Sequence, residues 1–299
     1  MPSLQGLFYR LIFPLMAPPL HHEVAVETIR QGLDDAGRRG SMPEGTQTHN
    51  LTVAGMPALW ITPPGEPSGV ILYLHGGAYV AGSIISHQYL VGYVAQQAGM
   101  PALLPEYRLA PEHPFPAAFD DALAAYRWLL DEGHAPARIV VMGDSAGGGL
   151  SLALVAHLPE AGLPPPAAVV LLSPWTDLAA TGESLRTRKR RDPWLRPEAV
   201  ANGAAMYHGE TPAADPRVSP LYADLSGLPP VLIQVGDHEI LLSAAQRAAA
   251  AIRAAGGTAD LSVWPWMWHV FQSFTDHMPE SRRAVAQIAQ FIREQVGSN

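Results

Sequence analysis

Apolar residues along the chain fall into short, nearly unbroken runs separated by stretches of helical spacing. Seven runs have the length and composition of strands: Ala58–Ile61, Val70–Leu74, Ala102–Pro105, Ile139–Met142, Ala168–Leu172, Val231–Val235 and Leu261–Trp264. Runs such as Val70-Ile-Leu-Tyr-Leu74 and Val231-Leu-Ile-Gln-Val235 lack a polar-out alternation, which suits parallel strands covered on both faces. The intervening periodicity predicts helices over about 86–98, 116–132, 146–158, 243–255 and 281–296. Strand and helix patterns in alternation imply a mostly parallel sheet wrapped by helices on both sides.

Two segments stand outside this rhythm. Residues 1–45 carry apolar positions at Leu4, Leu7, Phe8, Leu11, Ile12 and Leu15, then a second helical pattern through Val24, Ile29 and Leu33. Residues 183–210 hold five of the 19 basic residues, between Arg186 and Arg191, a run expected to form a solvated helix face. The expected organisation is one structural domain plus cap: a core of residues 46–182 and 211–299, with residues 1–45 and the insertion 183–210 supplying the cap.

Composition narrows the function classes. A chain of 299 residues with 48% hydrophobic content and seven Trp is far from a disordered composition. A net charge of −8 argues against a nucleic-acid partner, which needs a basic face. The absence of cysteine excludes a disulfide framework, a thiol nucleophile and thiolate metal sites, and is compatible with a reducing compartment. The stretch Leu4–Leu20 lacks a basic start, contains Arg10 and is broken by Pro14, Pro18 and Pro19. Neither a secretory signal nor a membrane span is expected of it, so the reading is a soluble cytoplasmic protein without stable membrane insertion.

The most informative stretch is Gly143-Asp-Ser-Ala-Gly147, set between the strand ending at Met142 and the apolar helical run Leu150–Leu158. A strand that turns at once into a helix places the corner residue, Ser145, in a strained backbone conformation with its side chain presented outward. The helix start directs its amides toward the same point. A serine nucleophile needs oxyanion donors and a base. His75-Gly-Gly-Ala78 follows the strand Val70–Leu74, and the amides of Gly76, Gly77 and Ala146 are expected to form the oxyanion hole. His75 itself is expected to brace this loop. Of the twelve histidines, His269 is the candidate base, because it follows the strand Leu261–Trp264 in the order serine, acid, histidine. His21, His22, His49, His134 and His157 fall in expected surface or cap segments. The loop after Val231–Val235 offers two carboxylates, Asp237 and Glu239.

Taken in order, His75-Gly-Gly-Ala78, Tyr107-Arg-Leu-Ala-Pro-Glu-His-Pro114, Gly143-Asp-Ser-Ala-Gly147, Ser173-Pro-Trp-Thr-Asp177 and Asp215-Pro-Arg-Val-Ser-Pro220 give the chain a family likeness. It resembles the bacterial hormone-sensitive-lipase family (family IV) of carboxylesterases over roughly residues 65–295. The resemblance implies an α/β-hydrolase fold with a mostly parallel eight-stranded sheet flanked by helices. It implies hydrolysis of a small-molecule ester without cofactor or metal, and a preference for short- to medium-chain acyl groups. Ala78 departs from the third glycine of many members. The family spacing of acid and anchoring leucine matches Glu239-Ile-Leu241, which makes Glu239 the expected triad acid and Asp237 the alternative. Tyr107-Arg108 and Glu112 are expected to supply a buried charge pair beneath the serine corner, and Trp194 and Tyr207 to wall the pocket. No long exposed apolar lid is expected.

Two other readings share these motifs. The same triad serves thioester, amide or lactone substrates. Certain plant hormone receptors of this fold bind a ligand without turnover, having lost the histidine that stands here as His269. Nothing in the sequence separates a monomer from a homodimer.

Overall fold

The computed structural model describes residues 2–16 and 24–297. His21, His22 and the end of the Leu4–Leu20 stretch lie outside the described residues. In chain order the elements are α1 Leu4–Met16, α2 Val26–Gly37, β1 Gln47–Val53, β2 Met56–Thr62, β3 Val70–Leu74, α3 Ile84–Ala98, β4 Ala102–Pro105 and α4 Ala117–Asp131. Then follow β5 Ile139–Asp144, α5 Ser145–His157, β6 Ala168–Leu172, α6 Ser184–Thr187, α7 Pro197–His208, β7 Val231–Gly236, α8 Leu242–Ala254, β8 Ala259–Trp264 and α9 Pro279–Val296.

The strands form one eight-stranded sheet in the order β1-β2-β4-β3-β5-β6-β7-β8. The β1–β2 and β2–β4 pairs are antiparallel and all others are parallel. This is an α/β-hydrolase fold with an N-terminal helical cap and helical insertions. Strand β3 shows why the apolar runs are unbroken. Val70, Leu72 and Leu74 point into one core with α4, α5 and α8, while Ile71 and Tyr73 point into the other with α3 and α9. All five are fully buried, each aliphatic side chain contributing about 1.5–3 kcal/mol of transfer free energy.

The polar edge strand β1 was not among the seven apolar runs. At the rim of the sheet most of its residues face solvent, so it carries no hydrophobic run. Its signal is the turn: Ala54 and Gly55 both have positive φ (50° and 86°) between the paired Val53 and Met56, as a two-residue hairpin requires.

The cap is only partly as expected. In α1, Gly6 and Phe13 are buried, and Phe13 packs on Trp194, Trp268 and Phe274. The Ser3 amide and hydroxyl donate to the Glu280 carboxylate at the start of α9, at 2.6 and 2.9 Å. The opposite face is open: Leu4, Leu7, Phe8, Leu11 and Leu15 are exposed, so α1 presents an apolar stripe. The periodicity located the helix but could not tell which apolar side chains find a partner. The basic run forms a short helix and a turn rather than a helix face, since α6 ends at Thr187. No described helix is long and apolar enough to cross a membrane.

Candidate active site

Strand β5 passes into α5 with no intervening loop, and the turn is accommodated by Ser145 at φ 52°, a left-handed conformation that costs an L-residue about 1 kcal/mol or more. Residue 147 must be glycine because a Cβ there would overlap the carbonyl oxygens of Leu74 and His75. Trp175 N–H donates to the Ser145 carbonyl at 2.9 Å, which fixes the corner from the loop after β6. Ser145 remains partly exposed while every neighbour from Gly143 to Leu150 is buried. The amides of the first turn of α5, Ala146 among them, have no acceptor within the helix.

The loop after β3 crosses in front of this turn with Gly77, Ala78 and Tyr79 at φ 122°, 55° and 63°. A Cβ on Gly77 would overlap the Ala81 carbonyl, so this close approach also demands glycine. The structure gives the Gly76 amide a different task from the oxyanion donor expected of it. It donates to Asp144 Oδ1 at 3.0 Å. The same carboxylate accepts from the Tyr73 hydroxyl at 2.9 Å and lies 3.4 Å from His87 Nε2. Burial opposes the Asp144 charge, yet His87 and these hydrogen bonds hold its carboxyl below the usual range. The amides of Gly77 and Ala78 make no hydrogen bond among the described residues.

His75 braces the loop. Its Nδ1 lies 2.8 Å from the Gly76 carbonyl oxygen and its ring stacks on Tyr107 at 4.2 Å. Burial and the charge of His87 push its pKa down to about 3, which keeps it neutral. Tyr107 donates to the His75 carbonyl at 2.6 Å. The expected buried charge pair of Arg108 and Glu112 is absent. Arg108 pairs with Asp121 at 2.7 Å with half its side chain exposed, and Glu112 pairs at the surface with Arg30 of α2. Adjacency in the motif placed the two charges in one loop, but the chain turns them toward different helices.

The two remaining candidates meet between the loops that follow β7 and β8. Glu239 is fully buried and its Oε2 lies 3.0 Å from His269 Nδ1. Its Oε1 accepts from Ser173 Oγ at 2.9 Å and from the Gly236 amide. Ser173 Oγ in turn accepts from Val270 N–H at 3.2 Å, so one hydroxyl fixes both the acid and the histidine loop. Burial disfavours the imidazolium of His269, but the hydrogen bond and charge of Glu239, with Asp192 and Asp144 behind it, raise its pKa above 6.5. Asp237 faces away, accepting from Trp266 N–H at 2.6 Å and holding the turn after β7. No hydrogen bond joins Ser145 Oγ to His269 among the described contacts, and such bonds are often long without substrate.

Two residues in the site were not singled out by sequence. Ser173 belongs to a quoted motif, but its orienting contact is visible only in three dimensions. Asp192, in the cap insertion, is buried and accepts from the amides of Trp194, Leu195 and Ile240 at 2.9–3.0 Å. It ties the cap to the residue next to Glu239. Of the two expected wall residues, Trp194 stands 5.9 Å from the His269 ring. Tyr207 is completely buried, stacked on Tyr79 at 3.7 Å, and so lines no open wall. His277 stacks on Tyr9 of the cap, at 5.0 Å.

Comparison with known proteins agrees with this geometry. A family described as alpha/beta hydrolase fold matches residues 71–273. An acetyl-hydrolase of Streptomyces hygroscopicus is 42% identical over 247 residues, 83% of each chain. A crystal structure of EstE5 soaked with p-nitrophenyl butyrate superimposes with a TM-score of 0.94 at 40% identity, covering 99% of this chain and all of that one. An esterase from the bacterial hormone-sensitive lipase family gives 0.95 at 43% identity, with the same coverage. A serine corner, a buried carboxylate–histidine pair and these likenesses converge: the chain belongs to the α/β-hydrolase family, among the bacterial esterases related to hormone-sensitive lipase.

Proposed function

We propose that the protein is a serine carboxylesterase that hydrolyses short- to medium-chain acyl esters through an acyl-enzyme on Ser145. The observation that carries this reading is the buried Glu239–His269 contact together with a serine held at a strained strand-to-helix corner. His269 Nε2 takes the Ser145 proton as Oγ attacks the ester carbonyl, and Glu239 stabilises the imidazolium without itself being protonated. The oxyanion rests on the amides of Gly77 and Ala146, joined by Ala78 in place of Gly76, whose N–H is held by Asp144. His269 then returns its proton to the leaving alcohol, the C–O bond breaks, and the acyl group stays on Ser145. Water, deprotonated by the same histidine, attacks the acyl-enzyme, and His269 returns that proton to Ser145 Oγ as the acyl–Oγ bond breaks and the carboxylic acid leaves.

In this reading residues 46–182 and 211–299 carry the chemistry, while 1–45 and 183–210 cover the pocket. A short acyl preference is supported by the name of the Streptomyces relative, an acetyl-hydrolase, and by the butyrate ester soaked into EstE5. A cytoplasmic location accords with the lack of cysteine. The test is kcat/KM across p-nitrophenyl esters from acetate to palmitate, beside a thioester and an anilide. A maximum at short chains supports the reading. A maximum at palmitate with activation at an emulsion surface refutes the chain-length preference, and faster thioester or anilide turnover refutes the ester assignment.

A further inference from the structure

Three buried nitrogens without hydrogen-bond partners among the described residues, Arg10 Nη1, Arg188 Nε and His238 Nδ1, belong to α1, the cap insertion and the acid loop, which meet through the Arg10–Arg191 and Asp192–Ile240 contacts. Buried polar groups in proteins are nearly always paired, so an unpartnered trio drawn from three segments calls for an explanation. Arg10 Nη2 donates to the Arg191 carbonyl at 2.9 Å, which fixes α1 against the cap insertion. His238 is 7% exposed and directly precedes Glu239. The charges of Arg10, Arg191 and Arg188 all reach it.

The carboxylates nearby have other partners. Asp237 accepts from the Trp266 amide, and its Oδ1 lies 3.7 Å from His238 Nε2, on the far side of the ring from Nδ1. Asp192 is engaged by three backbone amides. Lys189, within the same basic run, pairs with Glu198. The charges of Asp237 and Asp192 reach Arg10, but no carboxylate accepts a hydrogen bond from any of the three free nitrogens.

We propose that this junction is an oxyanion-binding site, in which a carboxylate or phosphate group accepts hydrogen bonds from Arg10, Arg188 and His238 and pins α1 and the cap insertion to the acid loop. Guanidinium N–H groups make strong, charge-assisted bonds to such anions. Burial and the charges of Arg10, Arg191 and Arg188 lower the pKa of His238, against the opposing charge of Asp237, so the ring offers a neutral nitrogen beside the two guanidinium groups.

The shared chemistry has two sources, free phosphate or the carboxylate released by ester hydrolysis. Isothermal titration of the full chain with inorganic phosphate, and separately with butyrate, is compared with chloride at equal ionic strength. Saturable binding of either anion is expected. Phosphate alone identifies a free-phosphate site, and butyrate binding that is weakened by Arg10→Gln or Arg188→Gln identifies a product site. Butyrate needs no turnover to bind, so this result is independent of the esterase reading. Arg10→Gln and Arg188→Gln each remove one charge-assisted donor and weaken binding by about tenfold. Failure of the native chain to bind either anion overturns the proposal whether or not the variants fold. So does equal competition by chloride, or unchanged affinity in both folded variants.

Discussion

Replacing Glu239 with glutamine separates the charge of the acid from its shape. The new Oε1 can still accept from Ser173 and Gly236, so the loop keeps two of its three anchors. At the third, an amide N–H₂ faces His269 Nδ1 where a carboxylate stood 3.0 Å away. The ring must then accept this N–H with the lone pair of Nδ1 and carry its proton on Nε2, which can no longer take a proton from Ser145. Loss of the correct tautomer lowers kcat by on the order of 10⁴-fold. That corresponds to about 5 kcal/mol of transition-state stabilisation. The fold itself loses only one charge-assisted hydrogen bond, worth about 1.5–3 kcal/mol.

The pH dependence gives a second readout. His269 must be neutral to act as a base, so in the native chain the acidic limb of kcat/KM lies above pH 6.5, because Glu239 raises its pKa. Without Glu239 the effect of burial dominates and the limb moves to lower pH. A histidine whose folded pKa is raised stabilises the native state fully below its unfolded pKa and loses that contribution as pH rises through the folded value. The thermal-stability deficit of Glu239→Gln is therefore larger in acid than in alkali. Stopped-assay kinetics on p-nitrophenyl butyrate and melting curves across pH read both effects. Should Asp237→Asn suffer the larger kinetic loss, with Glu239→Gln nearly unaffected, the acid assignment is wrong.

Other perturbations follow from single contacts. Ser145→Ala removes four to six orders of magnitude of turnover, by about the loss known for serine nucleophiles, with an unchanged circular dichroism spectrum. Retained activity above a few per cent in a contaminant-free preparation counts against the nucleophile. Asp144→Asn weakens the hold on the Gly76 amide and the His87 ring, lowering kcat by about a hundredfold with little change in KM; a change confined to KM contradicts an effect on the oxyanion loop. Gly147→Ala drives a methyl group into the Leu74 and His75 carbonyls and destabilises the fold by about 3 kcal/mol, measured by urea denaturation. A loss of stability too small to measure refutes the close approach.

The core of the sheet was legible because strands buried on both faces leave continuous apolar runs, as in β3, β5, β6 and β7. Strand β1 was not, because an edge strand owes its place to backbone pairing and carries polar side chains. Serine 145 was legible because the strained corner forces small neighbours at fixed positions. The task of Gly76 was hidden by its chemistry: an amide looks the same in the sequence whether it faces an oxyanion or Asp144. Tyr207 and the Arg108–Glu112 pair failed for a related reason, since partner choice depends on rotamers and packing that spacing does not encode. The exposed stripe of α1 belongs to the same class.

The acyl-enzyme on Ser145 is tested most directly by covalent trapping. A p-nitrophenyl alkylphosphonate, which mimics the tetrahedral intermediate, is added in slight excess and the intact mass and tryptic peptides are measured. One phosphonyl group per chain is predicted, located on Ser145, with esterase activity falling in proportion to labelling and no labelling of Ser145→Ala. A label on another residue, or full activity in fully labelled protein, contradicts the account.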